Sequence, residues 1–339
     1  MGDNHAMPTV ARVEIHPSQF PAAVQRDLLE SLHTRRVNHK FHYDSAKQTL
    51  KWLKLHEAHS PSRNDADCAA TYDRAFAAVA ERIHAKQVHL IGLGCGGGQK
   101  DTRLLLLLSF FGGRTIGYSP CDVSVAMVLT AWDEASAAVA AHDCHPFVCD
   151  LATADDLPKA FSTHHAEDAT RLITFFGMIP NFEPNEILPK LASLVRPNDW
   201  LLFSANLAPG PEYDAGVQRV LPQYDNPLTR EWLVTFLRDL GVEGGDGEMR
   251  FNVEETAGLK RIVVRFHFSR RRTIRVEGVA FEFEAGEAIQ LFFSYRYTPE
   301  RVCSVLAGQG LEVCAQWITK SEEEGVFLCQ RGGGSEGRR

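Results

Sequence analysis

Three short stretches between residues 88 and 151 carry residue types suited to holding a nucleoside. An apolar, β-branched run at 88–93 ends in Gly94-Cys95-Gly96-Gly97-Gly98, and a helical pattern follows. Glycines at such a junction let the backbone turn tightly and admit a ligand where a Cβ would stand in the way. Read strictly, Gly92-Leu93-Gly94-Cys95-Gly96-Gly97 also fits the G-x-G-x-x-G spacing of dinucleotide sites. Asp122 follows the next apolar run, where a carboxylate accepts hydrogen bonds from a ribose diol. Asp150 closes a third run, where an acid receives the exocyclic amine of adenine. A bland turn explains the glycines alone, and a cap or loop explains either acid alone. Three such features at three successive strand ends point to an adenosine-bearing ligand.

The elements that must position these residues follow a regular alternation. Helical patterns at 20–36, 48–56 and 67–84 precede a strand at 88–93, a helix at 101–111, a strand at 114–118 and a helix at 124–142. Strands at 146–149, 172–176 and 200–204, with a helix at 185–195 before the last, complete the series. Strands and helices alternating at this spacing predict a doubly wound, parallel α/β sheet, Rossmann-like, with the strand carboxyl ends on one edge. The character changes over 207–296, where one helix (229–240) is followed by period-2 strands at 249–254, 260–269 and 273–284. A helix at 298–308 and strands at 311–319 and 326–329 return to the first sheet. The expected organisation is therefore an α+β substrate-binding unit, 1–66 with 207–296, and a class I cofactor-binding unit, 67–206 with 297–331. Residues 332–339 read as a flexible tail, and the opening from Met1 to Met7 reads as a cloning scar. A nicotinamide enzyme accounts for the glycines and Asp122 but does not require Asp150, and no hydride-transfer constellation accompanies them. S-adenosylmethionine is the preferred ligand.

Composition narrows the partners. The 339 residues carry a net charge of −7, with 44% hydrophobic and 23% charged residues, ordinary for a globular protein. No basic face for nucleic acid is expected; the densest basic run, Arg270-Arg271-Arg272 with Arg275, reads as solvated strand surface. No segment approaches the roughly 20 apolar residues of a membrane span, and no secretory leader is recognised. Eight cysteines in such a chain do not read as a disulfide framework. Cys144-His145 with Cys149 hints at metal ligation, but no second ligand pair follows at zinc spacing, so no metal is expected. The expected compartment is reducing cytosol.

These motifs, taken together, resemble the histidine-specific, S-adenosylmethionine-dependent methyltransferase family. The resemblance rests on Gly94 through Leu105, on Tyr118-Ser119-Pro120-Cys121-Asp122-Val123-Ser124, on Phe176-Gly177-Met178-Ile179-Pro180-Asn181, and on Gly286 through Ser294 to Pro299-Glu300, and it spans about residues 35–330. It implies that Gly94, Gly96, Gly98, Lys100, Asp122, Asp150, Leu151 and Gly177 hold the cofactor, with S-adenosylhomocysteine as product. It also implies that Asn181 and Tyr224 hold the backbone of a small amino-acid substrate, and that Ser294 brings a hydroxyl near an imidazole. One branch of the family trimethylates the α-amino group of histidine, giving hercynine; another methylates a ring nitrogen of 5-thiohistidine, giving ovothiol. The stretches 38–45 and 56–63 look more like the second branch, so ovothiol formation is the expected activity, histidine α-amino trimethylation the alternative, and a non-catalytic cofactor-binding regulator a third reading. The ovothiol reading implies a sulfoxide synthase, fused or separate, that supplies the thiohistidine.

Two departures from the histidine trimethylases carry physical content. Phe292 stands where they place a ring-binding glutamate, and Ala58-His59 where they have a tyrosine pair. A carboxylate facing an imidazole selects a protonation state and an orientation; a phenylalanine offers an apolar face. Because the sulfonium donor is already activated, alignment is the main task, and proximity supplies on the order of 7–11 kcal/mol. Asn181 and Tyr224 are therefore expected to matter most, Tyr43, His59, Phe292 and Ser294 to line the acceptor, and His59, Tyr43 or Tyr295 to accept the departing proton.

Overall fold

Strands of a parallel sheet are buried on both faces, which is why they read as continuous apolar runs. Leu90 and Ile91 are neighbours on β2 (Gln87–Leu93) yet join hydrophobic clusters on opposite sides of the sheet. Leu90 packs with Tyr72, Phe76 and Val79 of the helix Ala66–Arg82 and with Leu104 and Leu108 of the helix Gln99–Phe110. Ile91 and Leu93 pack with Ile187, Leu188 and Leu191 of the helix Pro184–Leu194. Each such side chain contributes about 1.5–3 kcal/mol on burial.

The computed structural model describes residues 10–110, 113–164 and 168–332. Met1 to Met7, the expected end of a helix at Phe111, and the tail beyond 332 lie outside them. The remaining strands of the large sheet are β1 (Glu14–Ile15), β3 (Thr115–Asp122), β4 (Phe147–Val148), β5 (Thr170–Phe175), β6 (Trp200–Asn206), β12 (Leu311–Ile318) and β13 (Glu324–Arg331), with β7–β11 forming the second unit below. The eight strands run in the order β1-β4-β3-β2-β5-β6-β13-β12. The first six are parallel; β13 is antiparallel to β6, and β12 to β13. This is the doubly wound, Rossmann-like arrangement expected from the alternation of strands and helices. From β2 the chain winds outward through β3 and β4, then returns to its other side at β5, so a crevice opens at the carboxyl end of β2. Glu14–Ile15, within the segment expected to belong with the substrate unit, also supplies this sheet with its edge strand.

Residues 247–296 build smaller sheets. Strands β7 (Gly247–Thr256), β8 (Leu259–Phe268) and β11 (Ala288–Arg296) form an antiparallel sheet in the order β11-β8-β7, and β9 (Arg272–Val276) pairs with β10 (Val279–Phe283) as a hairpin. The single strand expected at 273–284 is thus two, because Glu277 and Gly278 turn at φ 50° and 79°. The sequence reading also lacked β11 and the helix Tyr213–Tyr224; Gly216 and Pro222 depress helix propensity in the latter. Their core includes Phe41, Trp232, Phe236, Phe266, Phe268 and Leu291. Arg270, Arg271 and Arg272 are ion-paired with Asp246, Glu282 and Glu284.

Candidate active site

A cavity of about 290 Å³ occupies the crevice at the end of β2. Gly94, Gly96, Lys100, Asp122, Leu151 and Gly177 line it, as do Tyr43 and Asn181. Gly98 lies beneath the loop: at φ 78°, any Cβ there would stand 2.7 Å from the Ala131 Cα. Its glycine thus lets the loop pack on the helix Val125–Ala135 rather than touch a ligand.

Asp122 is the last residue of β3, and its two oxygens accept the Gly96 amide at 3.2 Å and the Ser124 amide at 3.1 Å. Burial pushes its carboxyl up to about 6, against the pull of those amides. Asp101, also in the lining, is likewise raised to about 6 by burial; it accepts Tyr118 Oη and Thr174 Oγ1 and so ties β3 and β5 together under the loop. Lys100 Nζ donates to Tyr72 Oη at 2.9 Å, and that hydroxyl bonds Glu324. The Gly177 amide donates to Ser204 Oγ at 2.9 Å. Asp150 is fully buried and is not part of the lining, although its neighbours Cys149 and Leu151 are. Its Oδ2 has no hydrogen-bond partner and lies 3.4 Å from the buried Lys40 Nζ, which is also paired with Asp27.

Aromatic rings form the opposite wall. Trp52 stacks on His56 with centroids 4.8 Å apart, and Tyr43 packs 6.0 Å from Trp52 and 5.4 Å from Trp232. The chain of rings continues through Trp232 and Phe292, 5.8 Å apart, to Tyr224 at 6.4 Å from Phe292. Tyr224 Oη and Ser294 Oγ are 2.9 Å apart, and Arg296 donates to Tyr224 Oη at 2.7 Å. Tyr224, Phe292 and Ser294 stand beyond the cavity lining, but Asn181 bridges to them: its Nδ2 donates to the Phe293 carbonyl at 2.8 Å, joining the loop after β5 to β11.

Three expectations change here. His59 ends the helix Ala46–His59 and is exposed, outside the cavity. One turn earlier His56 lines it, because Trp52 and His56 share a helix face at i and i+4; that spacing was the available signal. Tyr295 is no proton acceptor for this site. It is buried, bonded to Glu183 and Arg261, and raised to about 12 by burial and Glu183. Tyr43 does reach the cavity, but burial, with Asp122 adding, raises its phenol well above the usual range, so it holds its proton. The sequence reading also missed His39 and Phe182, whose rings meet edge-on at 4.6 Å in the lining. Burial lowers His39 and takes His56 down to about 3, helped by Lys100 and Arg63, so both imidazoles are neutral.

Two features fit an adenosyl ligand: the glycine turn after β2 and the Asp122 carboxylate at the end of β3, both in the cavity lining. Asp150, which lies outside the lining beside Lys40, does not add to them. Among the described residues no helix is long and apolar enough to cross a membrane, and no group of three His, Cys, Asp or Glu is arranged to hold a metal ion.

The family model described as histidine-specific methyltransferase, SAM-dependent, matches residues 24–331. The chain is 26% identical over 325 residues to a histidine N-alpha-methyltransferase of Mycobacterium tuberculosis (strain CDC 1551 / Oshkosh), covering 91% of this chain and 95% of that protein. Among solved structures it is similar to an S-adenosylmethionine-dependent methyltransferase from Clostridium acetobutylicum ATCC 824, with 13% identity, a TM-score of 0.45, and 84% and 99% of the two chains covered. It is also similar to the magnesium protoporphyrin IX methyltransferase from Synechocystis PCC 6803 with bound SAH, with 12% identity, a TM-score of 0.43, and coverage of 86% and 98%.

Proposed function

The chain belongs to the histidine-specific, S-adenosylmethionine-dependent methyltransferase family, and we propose that it methylates a nitrogen of a histidine-type amino acid, the α-amino nitrogen of histidine in the first reading. The observation that carries it is Asn181, which lines the cofactor cavity and at the same time holds the strand that bears Phe292 and Ser294. A side chain in that place spans from the methyl donor to the acceptor. The relative named for histidine α-amino methylation supports the choice of nitrogen.

When bound, S-adenosylmethionine supplies a methyl group already activated by its positive sulfur. The protein's work is then orientation and exclusion of water. Asp122 accepts from the ribose diol, Lys100 and the glycine turn receive the amino-acid end, and the rings of Tyr43 and Trp52 shield the transfer. Asn181 and Tyr224 fix the acceptor. Tyr43 holds its proton and burial makes His39 and His56 poor bases, so none of these three takes the acceptor's proton; an α-ammonium gives it to water before transfer, which frees the nitrogen lone pair.

A second reading has its own observation. Phe292 lies among Tyr224 and Trp232, so an acceptor ring meets an apolar face there instead of a carboxylate. Such a face suits a ring bearing polarisable sulfur, and favours ring methylation of 5-thiohistidine to ovothiol, with an upstream sulfur-inserting enzyme as supplier. Incubation with methyl-labelled donor and each amino acid, followed by NMR location of the label, decides between them. Label on the histidine α-nitrogen is expected; label confined to the 5-thiohistidine ring selects the second reading, and no transfer to either amino acid defeats both.

A further inference from the structure

Arg296 ends β11 and is 5% exposed. Its Nη1 donates to the Leu207 carbonyl at 3.1 Å, its Nη2 donates to Tyr224 Oη at 2.7 Å, and its Nε is buried without a partner. The other deeply buried guanidiniums, Arg171 and Arg261, are paired with Asp199 and Glu183. Among the described residues no carboxylate lies within ion-pair distance of Arg296. Its partners are two neutral oxygens and the Tyr224 ring, whose centroid lies 5.2 Å from its Cζ. A buried charge without a counter-charge is costly, and this points to a ligand that supplies one.

The hydrogen-bond chain fixes the sign of that ligand. A guanidinium only donates, so Tyr224 Oη must accept from Arg296. The bond between Tyr224 and Ser294 uses one of their two hydroxyl protons. Whichever way it runs, one hydroxyl proton is left over, polarised by the cation behind it. The trio therefore presents a donor backed by positive charge, which complements a carboxylate and repels an ammonium. Ser294 adjoins Phe293, whose carbonyl holds Asn181 at the cavity.

We propose that Arg296 is a positioning residue for the acceptor's α-carboxylate, acting through Tyr224 and Ser294. The inference rests on the acceptor being an amino acid, as proposed above. It divides the acceptor between two poles: the carboxylate at the Arg296 end of the site, and the nitrogen-bearing remainder toward Asn181 and the cofactor.

The test compares binding of histidine with that of histamine, which keeps the ring and lacks the carboxylate, by calorimetry with S-adenosylhomocysteine present. Wild type is expected to prefer histidine by about 10- to 100-fold, the range of a hydrogen bond to a charged group. Arg296→Met loses most of that preference, Arg296→Lys regains part of it, and both bind S-adenosylhomocysteine as wild type does. In turnover, Arg296→Met raises KM for histidine far more than it lowers kcat. An Arg296→Met protein that keeps the wild-type preference overturns the inference. Should that variant fail to bind S-adenosylhomocysteine, Tyr224→Phe, which leaves the ring beside Phe292, decides on the same criterion. Wild type that binds neither histidine nor 5-thiohistidine instead overturns the proposed function, and this inference with it.

Discussion

Asp122→Asn tests the cofactor reading most sharply, because the side chain keeps its shape and loses one acceptor. The carboxylate now receives two amides, from Gly96 and Ser124. Asparagine has a single carbonyl oxygen, so its amino group faces one of those N–H donors and that bond is lost. A hydrogen bond to a charged group is worth about 1.5–3 kcal/mol, and the ribose diol loses a charged acceptor as well. S-Adenosylhomocysteine is therefore expected to bind about 10- to 100-fold more weakly at pH 7.5. The wild-type protein adds a pH signature. With its carboxyl raised to about 6 by burial, Asp122 is ionised at neutral pH and largely protonated at pH 5. Only the ionised form offers acceptors on both oxygens, so wild-type affinity falls about tenfold between pH 7 and 5, and Asp122→Asn shows no such fall. Calorimetric titration across that range measures both. A wild-type affinity flat from pH 7 to 5, or a variant within about threefold of wild type at pH 7.5, refutes the placement of the ribose at Asp122.

Gly98→Ala puts a methyl 2.7 Å from the Ala131 Cα in a left-handed conformation; it is expected to lower stability by more than about 1 kcal/mol, seen as a reduced Tm with weakened S-adenosylhomocysteine binding. His59→Ala leaves kcat/KM within about twofold of wild type, since His59 is exposed, whereas His56→Ala, which strips the ring stacked on Trp52, weakens cofactor binding in the same calorimetric assay. Asn181→Ala removes the donor to the Phe293 carbonyl and lowers kcat/KM for the amino acid by about 10-fold or more, with S-adenosylhomocysteine affinity changed far less; steady-state kinetics at wild-type turnover would contradict its assigned place.

What the sequence by itself determined is local and periodic. Short, largely apolar runs at 88–93 and 172–176, set between helical patterns, read as buried strands, the glycines after the first as a tight turn, and Asp122 and Asp150 as acids at strand ends. A chain-wide motif pattern then made the family legible. The antiparallel unit was less so, since a strand at 273–284 and its break at Glu277–Gly278 share one period-2 pattern, and the helix Tyr213–Tyr224 hides behind Gly216 and Pro222. The tertiary structure decided what lies across from what. The ring chain from Trp52 through Tyr43, Trp232 and Phe292 to Tyr224 joins residues as far apart as 43 and 292. The register shift between Gln290 and Phe292 belongs to the pairing of two strands. Arg296 reads in the sequence as one arginine among many; that it is buried with no carboxylate among the described residues in ion-pair distance is decided only by folding. Spacing along a chain encodes which side chains share a face, whereas the meeting of two faces depends on packing between elements distant in sequence.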